Sequence, residues 1–598
     1  MTNNHQSNKT KPTVVILSVA KNPIVYILIL AILLRFYNIS NLPSLNPDEA
    51  AIGYNAYSLL QTGKDEHSIP WPIHFKSFSD FKPGGYFYLT LPFIKILGLT
   101  PLAVRLPNLI LSILSIYFLY KLVLLITNNL TLSLLSAFLL SINPWHIHFS
   151  RGAWESCTAL SFIIIGTYYF YKNTNTKQAS AQSPAGGKHN LYLFALFLSL
   201  SLYTYHSARI FAPLLALSLF FINRNKILRH PELAEGSHKK FILSLFFGIL
   251  ITLPVVFSFF KNGGTTRFSG VGITADQGPL WRSNELLNHH FNQSQKTTLI
   301  NRITHNARVL YAISWAEKYF SHFDLNFLFI NGDEVPRSKS PEIGQFHLIE
   351  LPFLILGIVV MLSSRAKLLS SRAKLLSSRA KLLSSRAKSR DLITTQTNYK
   401  FIFLWLFLSP IASSLTFQAP SALRALPMVI PLTILTAFGI QSFLSLTHKQ
   451  PSILFFLVIF YSYSIAYYLS SYHIHSPKRY PFAWNQGFDR LIPYIESQKN
   501  NFSNIYITDK YDQPYILYLF YSKYPPPALH NQIKLTPPDK FGFSTVKQID
   551  NIHFEKINWD NIPSNSLIVA SNETVPIQPV DIINFTNDLP AFKIYTKQ

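Results

Sequence analysis

The run Pro23-Ile24-Val25-Tyr26-Ile27-Leu28-Ile29-Leu30-Ala31-Ile32-Leu33-Leu34-Arg35-Phe36-Tyr37-Asn38-Ile39, followed closely by Asn46-Pro47-Asp48-Glu49, decides the fold. A transmembrane helix needs about 20 apolar residues, with a range of about 17–25. Pro23–Ile39 reaches that range. It lacks a small-x-small cleavage site and runs straight into the acidic motif, so it reads as a retained first span. Charges close to hydrocarbon are costly and tend to be kept for function. Asp48 and Glu49 therefore mark a site at a membrane surface if further spans follow.

Further apolar segments do follow, at Ala103–Ile126, Leu130–Pro144, Thr158–Tyr171, Leu191–Tyr205, Ile210–Phe221, Phe241–Phe260, Phe346–Leu362, Phe401–Phe417, Leu423–Leu444 and Ile453–Ser470. Tyr86–Leu97 is too short to span and is expected as a helix near the outer surface. After Ser470 the chain turns polar, Pro-rich and aromatic. It holds strand-like Asn504–Thr508 and Ser566–Ala570 and helix-like Gln513–Tyr521. The expected fold is a mainly α, polytopic membrane protein of about eleven transmembrane helices, with a small α/β extracytoplasmic C-terminal domain. The membrane module is residues 1–471, with outer loops 40–102 and 261–345, and the second domain is residues 472–598.

Composition agrees. The chain has 598 residues, 48% hydrophobic and 14% charged, and a mean hydropathy of +0.19. That is too mild for a pure bundle and too high for a soluble enzyme. The net charge of +25 would suggest nucleic acid in a soluble protein. Here the basic residues lie between spans, so orientation accounts for them and no nucleic-acid partner is expected. Lys9, Lys11 and Lys21, then Arg224, Lys226, Arg229, Lys239 and Lys240, then Arg365 through Arg390, all fall on one side, the cytoplasmic one. Asp48, the loop 261–345 and the C-terminal tail fall on the extracytoplasmic side. A single cysteine, Cys157, excludes an internal disulfide and a Cys-based metal centre. Ser363–Lys388 repeats Ser-Ser-Arg-Ala-Lys-Leu-Leu, and the loop 363–391 is read as an inserted basic cytoplasmic segment rather than a coiled coil. His230–Ser237 and Val15–Pro23 look like translated palindromic DNA elements and receive no chemical role.

The chemistry candidates lie on the outer side. Asn46 and Pro47 suit a helix N-terminus, where acids complement the dipole. That structural role is compatible with a carboxylate held rigidly at the boundary. In Phe78-Ser79-Asp80-Phe81-Lys82-Pro83-Gly84-Gly85-Tyr86, Lys82 is balanced between an interfacial lysine beside an aromatic belt and a lipid-phosphate ligand beside a glycine-freed backbone. Arg105, Arg151, Arg209 and Arg424 are each ordinary interface anchors taken singly. Several arginines against the positive-inside bias, near an acidic loop, suggest phosphate binding. Arg151 and Glu155, at i and i+4, read by default as a helix salt bridge. Asp80, Tyr86, His206, Asp333 and Arg337 complete the set as donor or acceptor contacts. His146 and His148 lack a third ligand and favour a belt role over a metal. No metal or cofactor is expected, and no Asp-x-Asp motif suggests a metal-held nucleotide sugar.

With these residues in place, the chain resembles the bacterial branch of the dolichyl-phosphate-mannose-protein mannosyltransferase family, together with the aminoarabinose lipid A transferases. These are glycosyltransferases of the GT-C fold. The likeness rests on Asn46-Pro47-Asp48-Glu49, Phe81-Lys82-Pro83, Arg105-Leu106-Pro107, the helix count and the outward first loop. It covers most of Pro23–Phe260. His322–Gln345 and Pro420–Pro431 look like a subgroup of bacterial members. The resemblance implies Asp48 as catalytic base, Glu49 as the second acid and Lys82 as a contact to the carrier phosphate. Gly84 stands where relatives often have a second proline.

The implied reaction follows from the donor. A glycosidase generally uses two carboxylates because it must protonate a poor leaving group. A polyprenyl phosphate leaves without a proton and needs cations instead. One base then suffices, with inversion at the anomeric carbon, and Glu49 is expected to orient the acceptor or tune Asp48. The expected partners are a polyprenyl-phosphate sugar donor, membrane lipid, and an acceptor that stays open among protein, lipid and glycan. The alternatives are a flippase of lipid-linked sugars and a non-catalytic relative.

Overall fold

The computed structural model describes residues 22–174, 189–228, 234–261, 270–294, 298–377, 400–447, 450–539 and 542–598. The N-terminal lysines, Arg229, and the basic repeat from 378 onward lie outside them. The first half is α1 (Pro23–Phe36), α2 (Pro47–Thr62), the hairpin β1 (His74–Ser77) and β2 (Asp80–Pro83), α3 (Gly85–Leu97), α4 (Pro101–Thr127), α5 (Leu130–Ile142), α6 (Pro144–Ser150), α7 (Glu155–Thr174), α8 (Asn190–Thr204), α9 (Ala208–Leu228) and α10 (Ala234–Lys261). Then come α11 (Gly278–Ser294), α12 (Leu299–Thr304), α13 (Ala307–Ser321), α14 (Glu350–Ser377), α15 (Val429–Leu446), α16 (Pro451–Ser470) and α17 (Phe488–Gln498).

Each expected span overlaps a helix, yet the helices differ in how well they suit a bilayer. Among the described residues, four are long and apolar enough to cross, within Pro101–Thr127, Phe241–Ser258, Leu426–Leu446 and Pro451–Arg479. A fifth arises if α5 and α6 are one broken span, bent by 58°. The segment expected as one span, Leu130–Pro144, thus breaks at Asn143. That residue ends α5 and caps α6 by accepting from His146 N–H at 2.9 Å. The other helices are short, like α1 and α8, or dilute their apolar run, as α7 does with Ser, Thr and Tyr.

A charged residue inside α1 has a structural cause. Arg35 is fully buried and donates to the carbonyls of Ser141 at 2.8 Å and Leu140 at 3.3 Å. It satisfies the open C-terminal carbonyls of α5 at the break, where a cation also suits the dipole. Elsewhere the bundle closes through small residues. A Cβ on Gly357 would lie 1.9 Å from the Leu435 carbonyl oxygen, and one on Gly439 1.8 Å from that of Phe353. Two backbones meet there as closely as small-residue packing in membranes allows.

The chain beyond α17 folds as β3 (Asn504–Ile507), α18 (Pro514–Ser522), β4 (Gln548–Ile549), β5 (Ile552–Phe554), β6 (Ser566–Ala570), β7 (Asp581–Asn584) and β8 (Pro590–Lys597). The strands form one sheet in the order β4-β5-β3-β6-β8-β7, with β3 parallel to β5 and β6 and the other pairs antiparallel. Its core does not stop at residue 472. Ala50, Tyr54, Phe87 and Val104 share one apolar cluster with Tyr515, Leu519, Ile594 and Phe592. Tyr54 also donates to the Tyr524 carbonyl at 2.9 Å. The helix carrying the acidic pair is therefore packed from behind by the C-terminal sheet unit.

Candidate active site

The site starts from a helix cap. Asn46 Oδ1 accepts from Glu49 N–H at 3.0 Å, and Glu49 Oε2 accepts from Asn46 N–H at 3.3 Å. With Pro47 opening the helix, this is a complete capping box. It fixes Asp48 in the first turn of α2, where its carboxylate is 45% exposed.

The two neighbouring acids then part company. Glu49 is buried, and its carboxylate is saturated. Arg105 of α4 donates Nε to Oε1 at 2.8 Å and Nη2 to Oε2 at 2.7 Å. Ala153 N–H adds 2.9 Å to Oε1, and Asn46 Nδ2 3.2 Å to Oε2. Arg105 Nη1 goes to the Ile39 carbonyl at 2.7 Å. This bidentate pair locks α2 to α4 and to the chain leaving α1.

Lys82 reaches Asp48 from the hairpin. β1 and β2 pair Phe75 with Lys82 and Ser77 with Asp80. Phe78 and Ser79 turn at φ +57° and +66°, a conformation that favours Gly or Asn. The C-terminal unit holds it in place. Ser544 N–H donates to the Phe78 carbonyl at 3.0 Å, and Ser79 Oγ to Ser544 Oγ at 2.6 Å. Lys82 is only 9% exposed, lies over the Phe78 ring, and forms an ion pair with Asp48 Oδ1. Burial pulls its pKa down, but the charges of Asp48 and Glu155 and the hydrogen bond to Asp48 outweigh that and leave it raised. The ammonium therefore stays charged. The glycines beside it serve close approach: a Cβ on Gly84 would sit 2.7 Å from the Ile73 carbonyl oxygen, and one on Gly85 2.6 Å from that of Tyr203.

The other expected residues divide. Asp80, two residues from Lys82 on the same hairpin face, is largely buried and contributes to the lysine's field. Tyr86 O–H donates to the Val104 carbonyl at 2.9 Å, bracing α3 on α4. Arg151 is buried and donates to the carbonyls of Leu34, Arg35, Tyr37 and Leu42. It ties down the C-terminal end of α1. It follows α6 as the cap, whereas Glu155 opens α7, so the expected i,i+4 helix geometry does not arise. Arg209 meets His74 at 2.6 Å and His206 at 3.3 Å. His74 pairs with Pro83, which puts it on the hairpin face opposite Lys82. Asp333 accepts from Val335 N–H at 2.9 Å and Ala422 N–H at 2.6 Å, and Arg424 donates to the Gln418 carbonyl at 3.2 Å. Arg337 faces Asp512 at 3.9 Å. His146 contacts Arg35 at 2.8 Å and His148 donates to the Arg337 carbonyl at 2.8 Å. Among the described residues no three His, Cys, Asp or Glu side chains are grouped to hold a metal.

Two acids near Asp48 and Lys82 carried no chemical role in the sequence reading. Glu155 lies within electrostatic reach of Lys82, and Asp512 within reach of both Asp48 and Lys82. The signal for Asp512 was Asp512-Gln513-Pro514 at a helix start, an acid beside a proline as at Asp48 but in the reverse order.

Residues 25–262 match the family model for dolichyl-phosphate-mannose-protein mannosyltransferase. No curated protein matches the chain. Among solved structures it is similar to the archaeal oligosaccharyltransferase AglB from Archaeoglobus fulgidus in complex with an inhibitory peptide and a dolichol-phosphate, at 10% identity and a TM-score of 0.44, over 84% of this chain and 63% of that one. It is also similar to ArnT from Cupriavidus metallidurans bound to undecaprenyl phosphate, at 10% identity and a TM-score of 0.42, over 96% of this chain and 97% of that one. The chain spans less than two thirds of the length of the archaeal protein.

Proposed function

We propose that this chain, whose residues 25–262 match the mannosyltransferase family, transfers a sugar from a polyprenyl-phosphate carrier to a hydroxyl or phosphate acceptor. In this reading it is a multi-pass protein of a bacterial cytoplasmic membrane, with Asp48 and the 472–598 unit on the outer face. The observation that carries the reading is the ion pair between a half-exposed carboxylate, Asp48, and a buried ammonium, Lys82.

The pair stores the two charges that the reaction uses. At rest each neutralises the other. A carrier phosphate arriving over the hairpin competes for Lys82, and the ammonium stabilises the charge that grows on phosphate as the glycosidic bond breaks. Asp48, released from its partner, accepts the proton of the acceptor hydroxyl. That oxygen bonds to the anomeric carbon from the face opposite phosphate, and the configuration inverts. Asp80, Glu155 and Asp512 surround the pair and keep it polarised. Glu49 has both oxygens engaged, so its role is to position Asp48 through Arg105, not to meet the acceptor.

The test is donor consumption by purified, detergent-solubilised full-length protein, using radiolabelled polyprenyl-phosphate sugars. Wild type releases polyprenyl phosphate with transfer of the label. Asp48→Asn slows this by about 10²–10⁴-fold, the usual worth of general-base assistance. Equal rates overturn the base role. Failure of the wild type with every such donor overturns the transferase reading.

A further inference from the structure

The segment between α10 and α14 contains a helix that is packed the wrong way round for a soluble surface. On α13, Lys318 forms an ion pair with Asp276 at 3.3 Å, and Tyr311 O–H donates to the Asp276 carbonyl at 2.9 Å. The polar side of α13 thus faces the protein. The opposite side carries Val309, Ile313, Ala316 and Phe320, spaced at i, i+4, i+7 and i+11 along one helical stripe. Ile313 is 47% exposed and Phe320 67%. Soluble helices turn that stripe inward.

The exposed stripe joins the exposed face of a further, shorter apolar helix. Tyr319 O–H donates to the Phe407 carbonyl at 2.8 Å, and the Phe323 ring packs on Phe407. Phe407 is itself exposed on the apolar helix Lys400–Ser414. The preceding α12 exposes Leu299, Ile300 and Ile303, and Trp281 of α11 is exposed as well. Exposed Arg302 and Arg308 border this apolar surface, where they suit anionic head groups.

We propose that α12 and α13 lie in the membrane interface, with the Val309–Ile313–Ala316–Phe320 stripe against acyl chains. The occupant is lipid because the stripe is continuous with the exposed apolar face of the helix Lys400–Ser414, a helix that the membrane reading places in the bilayer. This rests on the membrane reading of the apolar helices and is independent of the transfer chemistry. The test uses full-length protein in phosphatidylethanolamine–phosphatidylglycerol vesicles. Cys157 is buried, so nitroxide labels react selectively at Ile313→Cys, Phe320→Cys, Ala316→Cys and, as a control on the flank, Glu317→Cys. Electron paramagnetic resonance reads collision with oxygen against a water-soluble nickel chelate. The oxygen-to-nickel ratio at 313 and 320 is expected several-fold above that at 317. A ratio equal to that at 317 overturns the proposal. So do labels at 313 and 320 shielded from both reagents, the result if a second copy or another protein covers the stripe. Ala316→Cys decides the matter if Phe320→Cys does not reconstitute, and none of these readouts depends on sugar transfer.

Discussion

Adjacent carboxylates at 48 and 49 are expected to fail in opposite ways when neutralised. Glu49→Gln removes the charge that balances Arg105, a guanidinium with no solvent exposure. Breaking a buried, hydrogen-bonded ion pair by removing one partner costs about 3–5 kcal/mol. The capping-box contact is still available to the glutamine oxygen, so the loss comes from the unbalanced guanidinium. Arg105→Met leaves Glu49 buried and unpaired, with a similar cost. In the double variant neither charge remains, so its loss should be well below the sum of the two singles. Asp48→Asn removes a half-exposed carboxylate and leaves Lys82 within the field of Glu155 and Asp80, so it should cost less than Glu49→Gln and fold while losing transfer. The assay is denaturant titration in mixed micelles for all four proteins, with donor consumption measured on each. Wild-type stability in Glu49→Gln, within about 1 kcal/mol, together with a transfer defect like that of Asp48→Asn, would refute the division of labour and place Glu49 in the chemistry.

Lys82→Ala removes a charge-assisted contact worth about 1.5–3 kcal/mol. The donor should bind about 10- to 150-fold more weakly, with partial recovery in Lys82→Arg; unchanged donor affinity in Lys82→Ala would end the phosphate role. Glu66, in the loop after α2, accepts from Asn55 Nδ2 at 3.0 Å and is buried, and burial pushes its carboxyl from an ordinary 4.5 up to about 8. Between those values the folded protein keeps a proton that the unfolded chain releases, so this group's contribution to stability is full below about pH 4.5 and lost as pH rises through about 8. Glu66→Gln should flatten stability measured across that window; an unchanged slope would show that Glu66 is charged in the fold.

Much of this architecture was legible because hydrocarbon and helix termini impose local rules. Apolar runs marked where helices lie. Asn46, Pro47 and Glu49 announced the N-terminus of α2, which the capping box realises. Ser566–Ala570 was read as a strand with the bounds it has. The break at Asn143 was missed because Leu130–Pro144 was read by its apolar content, although Asn143-Pro144 repeats the Asn-Pro helix start of Asn46-Pro47. The Phe78–Ser79 turn was missed for a related reason. Neither residue favours positive φ, and the donors that hold it there come from Ser544, far along the chain.

The arginines show most clearly what residue type leaves undecided. Arg105, Arg151, Arg209 and Arg424 were equivalent as sequence, four cations on one expected side. Folding spends Arg105 on Glu49, Arg151 on four carbonyls and Arg209 on histidines behind the hairpin. A guanidinium's role is set by which acceptors surround it after desolvation, and those come from distant segments. The sequence alone determined that this chain builds apolar helices around a capped acidic motif, because burial of apolar surface and backbone capping act over a few neighbouring residues. Only the tertiary structure decided that Asp48 stays open to solvent beside Lys82 while Glu49 is consumed by Arg105, since that choice depends on how helix, hairpin and C-terminal sheet pack together.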